Sequence, residues 1–213
     1  LSLKNCRAAS TNTMTKNHTV LFAIVVFVLA WSAINPKDYF TWALEVFPAI
    51  VGLAILVATY KRFKFTSFVY TLILLHCCIL FVGGKYTYAE NPLFDWMKDA
   101  FSQERNNYDK DGHYAQGFIP SFNARELVIR FHIVQGGRWL FFVVLSMVMF
   151  ISSSYELIEW FVSVSTGESA DAFLGSQGYV WDTQSDMLYA MVGSLVALIF
   201  FSGYHDRKIK EMN

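Results

Sequence analysis

Residues 65–82 read FTSFVYTLILLHCCILFV, eighteen consecutive positions without an Asp, Glu, Lys or Arg. A helix of about 20 mostly apolar residues crosses the hydrocarbon of a bilayer, because each residue advances it by about 1.5 Å. Within lipid, a helix also satisfies its own backbone hydrogen bonds. This stretch therefore predicts a membrane span, and the sequence on either side of it repeats the pattern. Upstream lie Tyr39 to Tyr60, with Glu45 and Pro48 inside, and Thr19 to Ile34. Downstream, Arg138 to Val164 and Asp182 to Tyr204 are apolar in the middle and acidic at one end. Between them Asp109 to Ile133 is the most polar piece, charge-free only from Gly112 to Ala124. Its Pro120 predicts a kink or a partly re-entrant course.

The fold read from this is all-α: a polytopic membrane helix bundle of about six transmembrane helices. Composition agrees. Of the 213 residues 54% are hydrophobic and 16% charged, against roughly 45–50% and 25% in soluble domains. The 17 Lys+Arg balance the 17 Asp+Glu, so no basic excess points to nucleic acid and any electrostatic function is local. Cys6, Cys77 and Cys78 make no disulfide framework, and the adjacent pair reads as apolar packing.

Orientation follows from Lys and Arg, which accumulate in cytoplasmic loops. Twelve of them precede the first span, lie between the second and third, surround the fourth-to-fifth turn or close the chain. The alternate loops hold five: Lys37, Lys85, Lys98, Arg105 and Lys110. Both termini are expected to be cytoplasmic. Residues 1–18 form a polar leader in which Met14 resembles a natural start, and 19–213 a single integral membrane domain. The leader with Val20 to Ala30 also fits a cleaved signal peptide ending at Val28-Leu29-Ala30. The outer loop, 83–108, carries Tyr86, Tyr88, Phe94, Trp96, Met97 and Phe101 among charges. An interfacial amphipathic helix is expected from about Asn91 to Gln103, as an aromatic anchor rather than a lid.

Ionisable groups at a membrane edge are costly and generally have a partner or a task. Asp109, His113 and Gln116 share a helix face at i, i+4 and i+7; Glu156 and Glu159 do so at i, i+3, and Asp182 and Asp186 at i, i+4. The topology places all three sets at one depth on the outer side. Carboxylates brought together there need protons, Lys110 or His113, or a bound cation. A His and carboxylate donor set suits zinc, manganese or magnesium. Asp109, His113, Glu156, Asp182 and Asp186 are the candidate metal ligands. Glu156, Glu159 and His113 are the candidate acid–base groups, with Glu159 as base. Gln116, Tyr155, Gln177 and Gln184 would orient ligands or substrate.

Blander explanations exist residue by residue. Asp109 and Asp182 stand where helix N-caps are expected. Gln116 and Gln184 can bridge helices. Glu45, His76 and Ser152 to Ser154 read as interhelical glue, and Glu126 with Arg130 as a cytosolic i, i+4 pair. Gly175 and Gly178 permit tight turns, while Ser176 and Gln177 can hydrogen-bond a head group.

The function read first is metal-assisted or acid–base hydrolysis or transfer on an envelope lipid or lipid-linked precursor. The alternatives are a cation- or proton-coupled transporter and a non-catalytic envelope assembly protein. Against transport, Met187 to Phe201 is apolar and offers no second half of a pathway.

YDKDGHYAQGF from Tyr108, SSSYELIEW from Ser152 and FLGSQGYVWDTQSDM from Phe173 resemble the hallmarks of YjdF-like bacterial inner-membrane proteins. The likeness extends over nearly everything after the leader and implies a multi-pass protein of the bacterial inner membrane, without supplying a reaction. Tyr179 stands where that pattern has an Asp. More remotely, the arrangement is similar to VanZ-like membrane proteins, which implies an envelope function.

Overall fold

The computed structural model describes residues 15–166 and 175–212. The leader up to Met14 and the 167–174 part of the connection before the last span lie outside them. Eight α-helices are described: α1 (Lys16–Ser32), α2 (Tyr39–Thr59), α3 (Ser67–Tyr86), α4 (Pro92–Ala100), α5 (Tyr108–Arg130), α6 (Gly137–Thr166), α7 (Asp182–Phe200) and α8 (Ser202–Lys210). A 3-10 turn, Tyr88–Glu90, precedes α4, and no strand occurs among the described residues.

Four helices, α2, α3, α6 and α7, are long and apolar enough to cross a membrane, and α1 is an apolar helix of 17 residues. Phe47, Ile55, Phe142, Phe150, Phe161 and Ile199 stand exposed on them. A water-soluble protein would bury such a surface; here it faces acyl chains. The buried apolar cores lie between helices, one built on Val25, Val46, Cys77 and Phe81, another on Phe65, Val69, Phe122 and Ala197. Cys77 is thus a packing residue, and both Cys77 and Cys78 are free.

The weakest span in the sequence is the central helix of the bundle. α5 runs unbroken through Pro120 from Tyr108 to Arg130, with no re-entrant reversal. It packs against α7, α3 and α6. Protein rather than lipid surrounds it, so Asp109, Lys110, His113, Ser121, Arg125 and Glu126 are buried on it without meeting hydrocarbon. The α5–α7 seam is unusually close. A Cβ on Gly117 would lie 1.8 Å from the Ala190 carbonyl oxygen, and one on Gly193 2.2 Å from that of Tyr114. Ser121 and Ser194 share a hydroxyl hydrogen bond of 2.7 Å across the same seam. Small residues let backbones approach so closely, as is common between membrane helices.

α4 begins where expected. Asn91 caps it, its Oδ1 accepting from the Leu93 N–H at 3.1 Å, and Leu93 and Trp96 project outward. The last span stops short of Tyr204. The helix bends at Phe201 and α8 continues from it, seating the fully buried His205 against Glu126. Glu126 is accordingly more than half of a cytosolic pair. It is wholly buried and accepts from Thr66 N–H (2.9 Å), Thr66 Oγ1 (2.9 Å), Arg130 (2.8 Å) and His205 Nε2 (3.2 Å).

Candidate functional site

At the opposite end of α5, about 25 Å along the helix from Glu126, the expected carboxylates converge. Asp109, His113, Glu156, Asp182 and Asp186 are all buried. Their arrangement follows from helix register: α5 presents Asp109 and His113 on one face, α6 presents Glu156 and Glu159, and α7 presents Asp182 and Asp186.

Lys110 is the internal counter-ion. Its Nζ lies 2.6 Å from Asp182 Oδ1, 2.5 Å from Asp186 Oδ1 and 3.7 Å from Asp109 Oδ2. Arg105, counted in the sequence only as a loop charge, joins it. Its Nη1 donates to Asp182 Oδ1 at 2.8 Å and its Nη2 to the Gly175 carbonyl at 3.2 Å. Asp182 and Asp109 therefore do not cap their helices: the N-cap positions are Trp181 and Asn107, neither with a side-chain cap bond. Lys110 and Arg105 hydrogen-bond Asp182, whereas Asp109 lies 3.7 and 3.8 Å from them and turns to His113.

His113 sits between two acids, its Nε2 3.4 Å from Asp109 Oδ1 and its Nδ1 3.7 Å from Glu156 Oε1. Gln116 Oε1, an acceptor, is 2.9 Å from Nδ1. A proton on Nδ1 satisfies that contact and leaves the Nε2 lone pair facing the Asp109 carboxylate. Two acceptors so placed call for a cation between them, either a second proton or a metal ion. Asp109 Oδ2 and Glu156 Oε1 are buried without a hydrogen-bond partner among the described residues. One donor atom each from Asp109, His113 and Asp186 lies within 4.8 Å of the other two. A nitrogen and two carboxylate oxygens match a three-ligand divalent site with an open position.

The remaining candidates divide. Tyr155 and Glu159 line a cavity with His113, Gln116 and Asp109. Gln177 is consumed by the fold: its Oε1 accepts from the Asn106 N–H at 3.0 Å and its Nε2 donates to the Asn106 carbonyl at 2.8 Å, so it braces a loop instead of reaching a head group. Gln184 is exposed and stands apart from the cluster. Gly175 and Gly178 take the left-handed conformations expected of turn glycines. Tyr179 sets its ring near Arg105 and Lys110, at 5.7 and 5.9 Å, a cation–π contact where the resembling pattern has an acid.

Two site residues were missed in the sequence. Glu45 on α2 is buried, accepts from Tyr155 Oη at 3.3 Å and lines the same cavity, and Arg105 is the second counter-ion. For Arg105 a signal existed, since Asp109 follows it at i+4. For Glu45 the only hint was an isolated charge inside a span.

The chain matches the family described as "Predicted membrane protein (DUF2238)" over residues 17–207. It is 42% identical over 186 residues to the Inner membrane protein YjdF of Escherichia coli (strain K12), which covers 87% of this chain and 89% of that protein. No solved structure matches it. These matches support the YjdF-like resemblance and not the VanZ-like one. Its apolar spans and this relative make it a multi-pass protein of the bacterial inner membrane. The chain belongs to the DUF2238 family of predicted membrane proteins.

Proposed function

We propose that the chain is a membrane-embedded hydrolase or transferase for an envelope lipid or lipid-linked substrate. Its reaction centre would be the His113 cluster, opening toward the outer face. Asp109, His113 and Asp186 would hold a divalent ion, zinc, manganese or magnesium. The observation that carries the reading is the facing pair His113 Nε2 and Asp109 Oδ1, 3.4 Å apart, with Asp186 close enough to complete a three-donor set. Asp186, whose Oδ1 accepts from Lys110, would be the third ligand. Bound there, a divalent ion would supply a Lewis acid and an acidified water. The chain's own groups do the rest. Gln116 Oε1, accepting from Nδ1–H at 2.9 Å, would fix the His113 tautomer and leave Nε2 free for the ion. Glu156, its Oε1 3.7 Å from His113 Nδ1, and Glu159, facing the cavity, would take and return protons. The outer orientation rests on the twelve-to-five distribution of Lys and Arg.

The test is elemental analysis of the purified protein. A stoichiometric divalent metal that His113→Ala and Asp186→Asn each remove is expected. A folded protein that carries no metal after incubation with zinc, manganese or magnesium, and whose melting ignores chelators, would overturn the reading.

One observation favours a second reading, a cation- or proton-coupled carrier. The polar line on α5 continues past the cluster to the Ser121–Ser194 pair and the Glu126–His205 contact. Proteoliposome flux abolished by Glu156→Gln would select this reading over the first.

A further inference from the structure

Below the ion cluster, between α2, α3, α5 and α6, lies a cavity of about 130 Å³. Glu45 projects into it from α2 and Glu159 from α6, and both side chains are more than nine-tenths buried. The hydrogen bond from Tyr155 is the one Glu45 has, and Glu159 has neither hydrogen bond nor ion pair, among the described residues. The basic groups around them are already committed: His113, which lines the same cavity, to Asp109 and Gln116, Lys110 to Asp182 and Asp186, and Arg105 to Asp182 and the Gly175 carbonyl. Glu45, Glu159 and Asp109 bring three buried carboxyls to the shared void beside the Gln116 amide, so that acceptors outnumber the two imidazoles, His76 and His113, that also line it.

Such a lining selects a cation that brings its own donors. The void is too roomy for a bare ion, which needs oxygen ligands at about 2.0–2.6 Å on every side. At about 30 Å³ per water it suits an ammonium on a short carbon stem. The approach is sideways. α2 packs on α3, whereas α6 packs on α5 and α7. Between α2 and α6 the cavity is walled by Pro48, Ile151 and the Tyr155–Glu45 hydrogen bond. Ile151 and Phe47 are exposed beside that wall, on the surface that faces acyl chains. Glu45 lies about 9 Å along α2 from its first residue, within reach of a head group at the membrane edge.

We infer that this cavity binds the primary ammonium head group of an aminophospholipid, admitted from the bilayer between α2 and α6 and held by Glu45 and Glu159. The inference rests on reading the adjoining cluster as a lipid-directed reaction centre, and it names the lipid. Tyr155 and Glu45 would part on entry, and both carboxylates would accept N–H bonds from the ammonium while the acyl chains stay outside along Phe47 and Ile151.

The experiment is native mass spectrometry of the delipidated full chain, titrated with phosphatidylethanolamine, phosphatidylcholine and phosphatidylglycerol of identical acyl chains, and separately with free ethanolamine. Phosphatidylcholine keeps the charge but has no N–H; phosphatidylglycerol has no cation. Phosphatidylethanolamine should be retained about tenfold better than either, the worth of one charge-assisted hydrogen bond. Glu45→Gln or Glu159→Gln should erase the preference without changing melting or metal content. Equal retention of the three lipids, or a preference that survives both variants, overturns the inference. If Glu45→Gln fails to fold, Glu159→Gln and the wild-type lipid comparison still decide. Free ethanolamine displacing the lipid at equal concentration would also overturn it, pointing to a soluble amine. Metal content separates the two readings: a metal-free protein that still prefers phosphatidylethanolamine refutes only the metal centre, and a metal-loaded one without preference refutes only this site.

Discussion

Lys110 on α5 reaches Asp186 on α7, Nζ to Oδ1 2.5 Å, with both side chains almost wholly buried. The contact joins the two most intimately packed helices at the level of the candidate site, and the same ammonium also meets Asp182. A buried ion pair adds little net stability over apolar packing, but removing one partner strands the other.

Lys110→Met therefore strands Asp186 and leaves Asp182 to Arg105 alone. A loss of about 3–5 kcal/mol is expected, read as a lower melting temperature in detergent. Adding Asp186→Asn should restore part of it. Wild-type melting of Lys110→Met would show that the pair is not formed.

Gly117→Ala and Gly193→Ala would place a methyl 1.8 and 2.2 Å from the backbone carbonyl oxygens of Ala190 and Tyr114, which cannot move aside. Each should cost at least about 1–3 kcal/mol through overpacking and separation of α5 from α7. Gly52→Ala, with nothing within 4 Å of its Cβ, should be neutral or slightly stabilising. Equal melting of all three variants would remove the close seam.

Gln177→Ala deletes two hydrogen bonds to the Asn106 backbone. A local effect of about 1–2 kcal/mol is expected. Amide exchange at Asn106 should accelerate about tenfold or more, while exchange in the middle of α5 stays unchanged. Uniform acceleration along α5 would instead mark global destabilisation.

Asp38 caps α2, its Oδ2 accepting the Thr41 N–H at 2.6 Å, and that bond holds its carboxyl below the usual range. A pKa depressed by folding contributes stability above the unfolded value, about 3.9, and loses it as pH falls through the folded value. Asp38→Ala should thus cost about 1 kcal/mol at neutral pH. The gap to wild type should narrow steadily below about pH 4. A gap constant down to about pH 2 would show that ionisation of Asp38 is irrelevant.

Glu126→Gln weakens the buried hub that ties α3, α5 and α8 together, some 25 Å from the ion cluster. It should lower stability without altering bound metal, and its effect should add to that of Lys110→Met within about 0.5 kcal/mol. Strong non-additivity would mean that the two ends of α5 communicate.

Helix positions were legible because apolar runs and caps are properties of neighbouring residues. Tyr39, Asn91 and Asp182 mark starts that the structure repeats within a residue or two. The faces of α5, α6 and α7 were legible for the same reason, since i, i+3 and i, i+4 spacing fixes which side chains align. Partner choice was not. Asp182 fits a cap on local grounds, yet Arg105, 77 residues away, takes it. Glu126 reads as a cytosolic pair with Arg130, yet it is wholly buried and is also held by Thr66, 60 residues before it, and by His205, 79 residues after it.

The sequence by itself determined that this is a membrane bundle of helices and which polar side chains share a face, because rise and turn per residue set both. Only the tertiary structure decided that α5 lies at the centre, that Lys110 and Arg105 neutralise α7, and that Glu45 belongs to the site. Those facts depend on which helices become neighbours, and that is set by how closely small residues such as Gly117 and Gly193 let backbones meet.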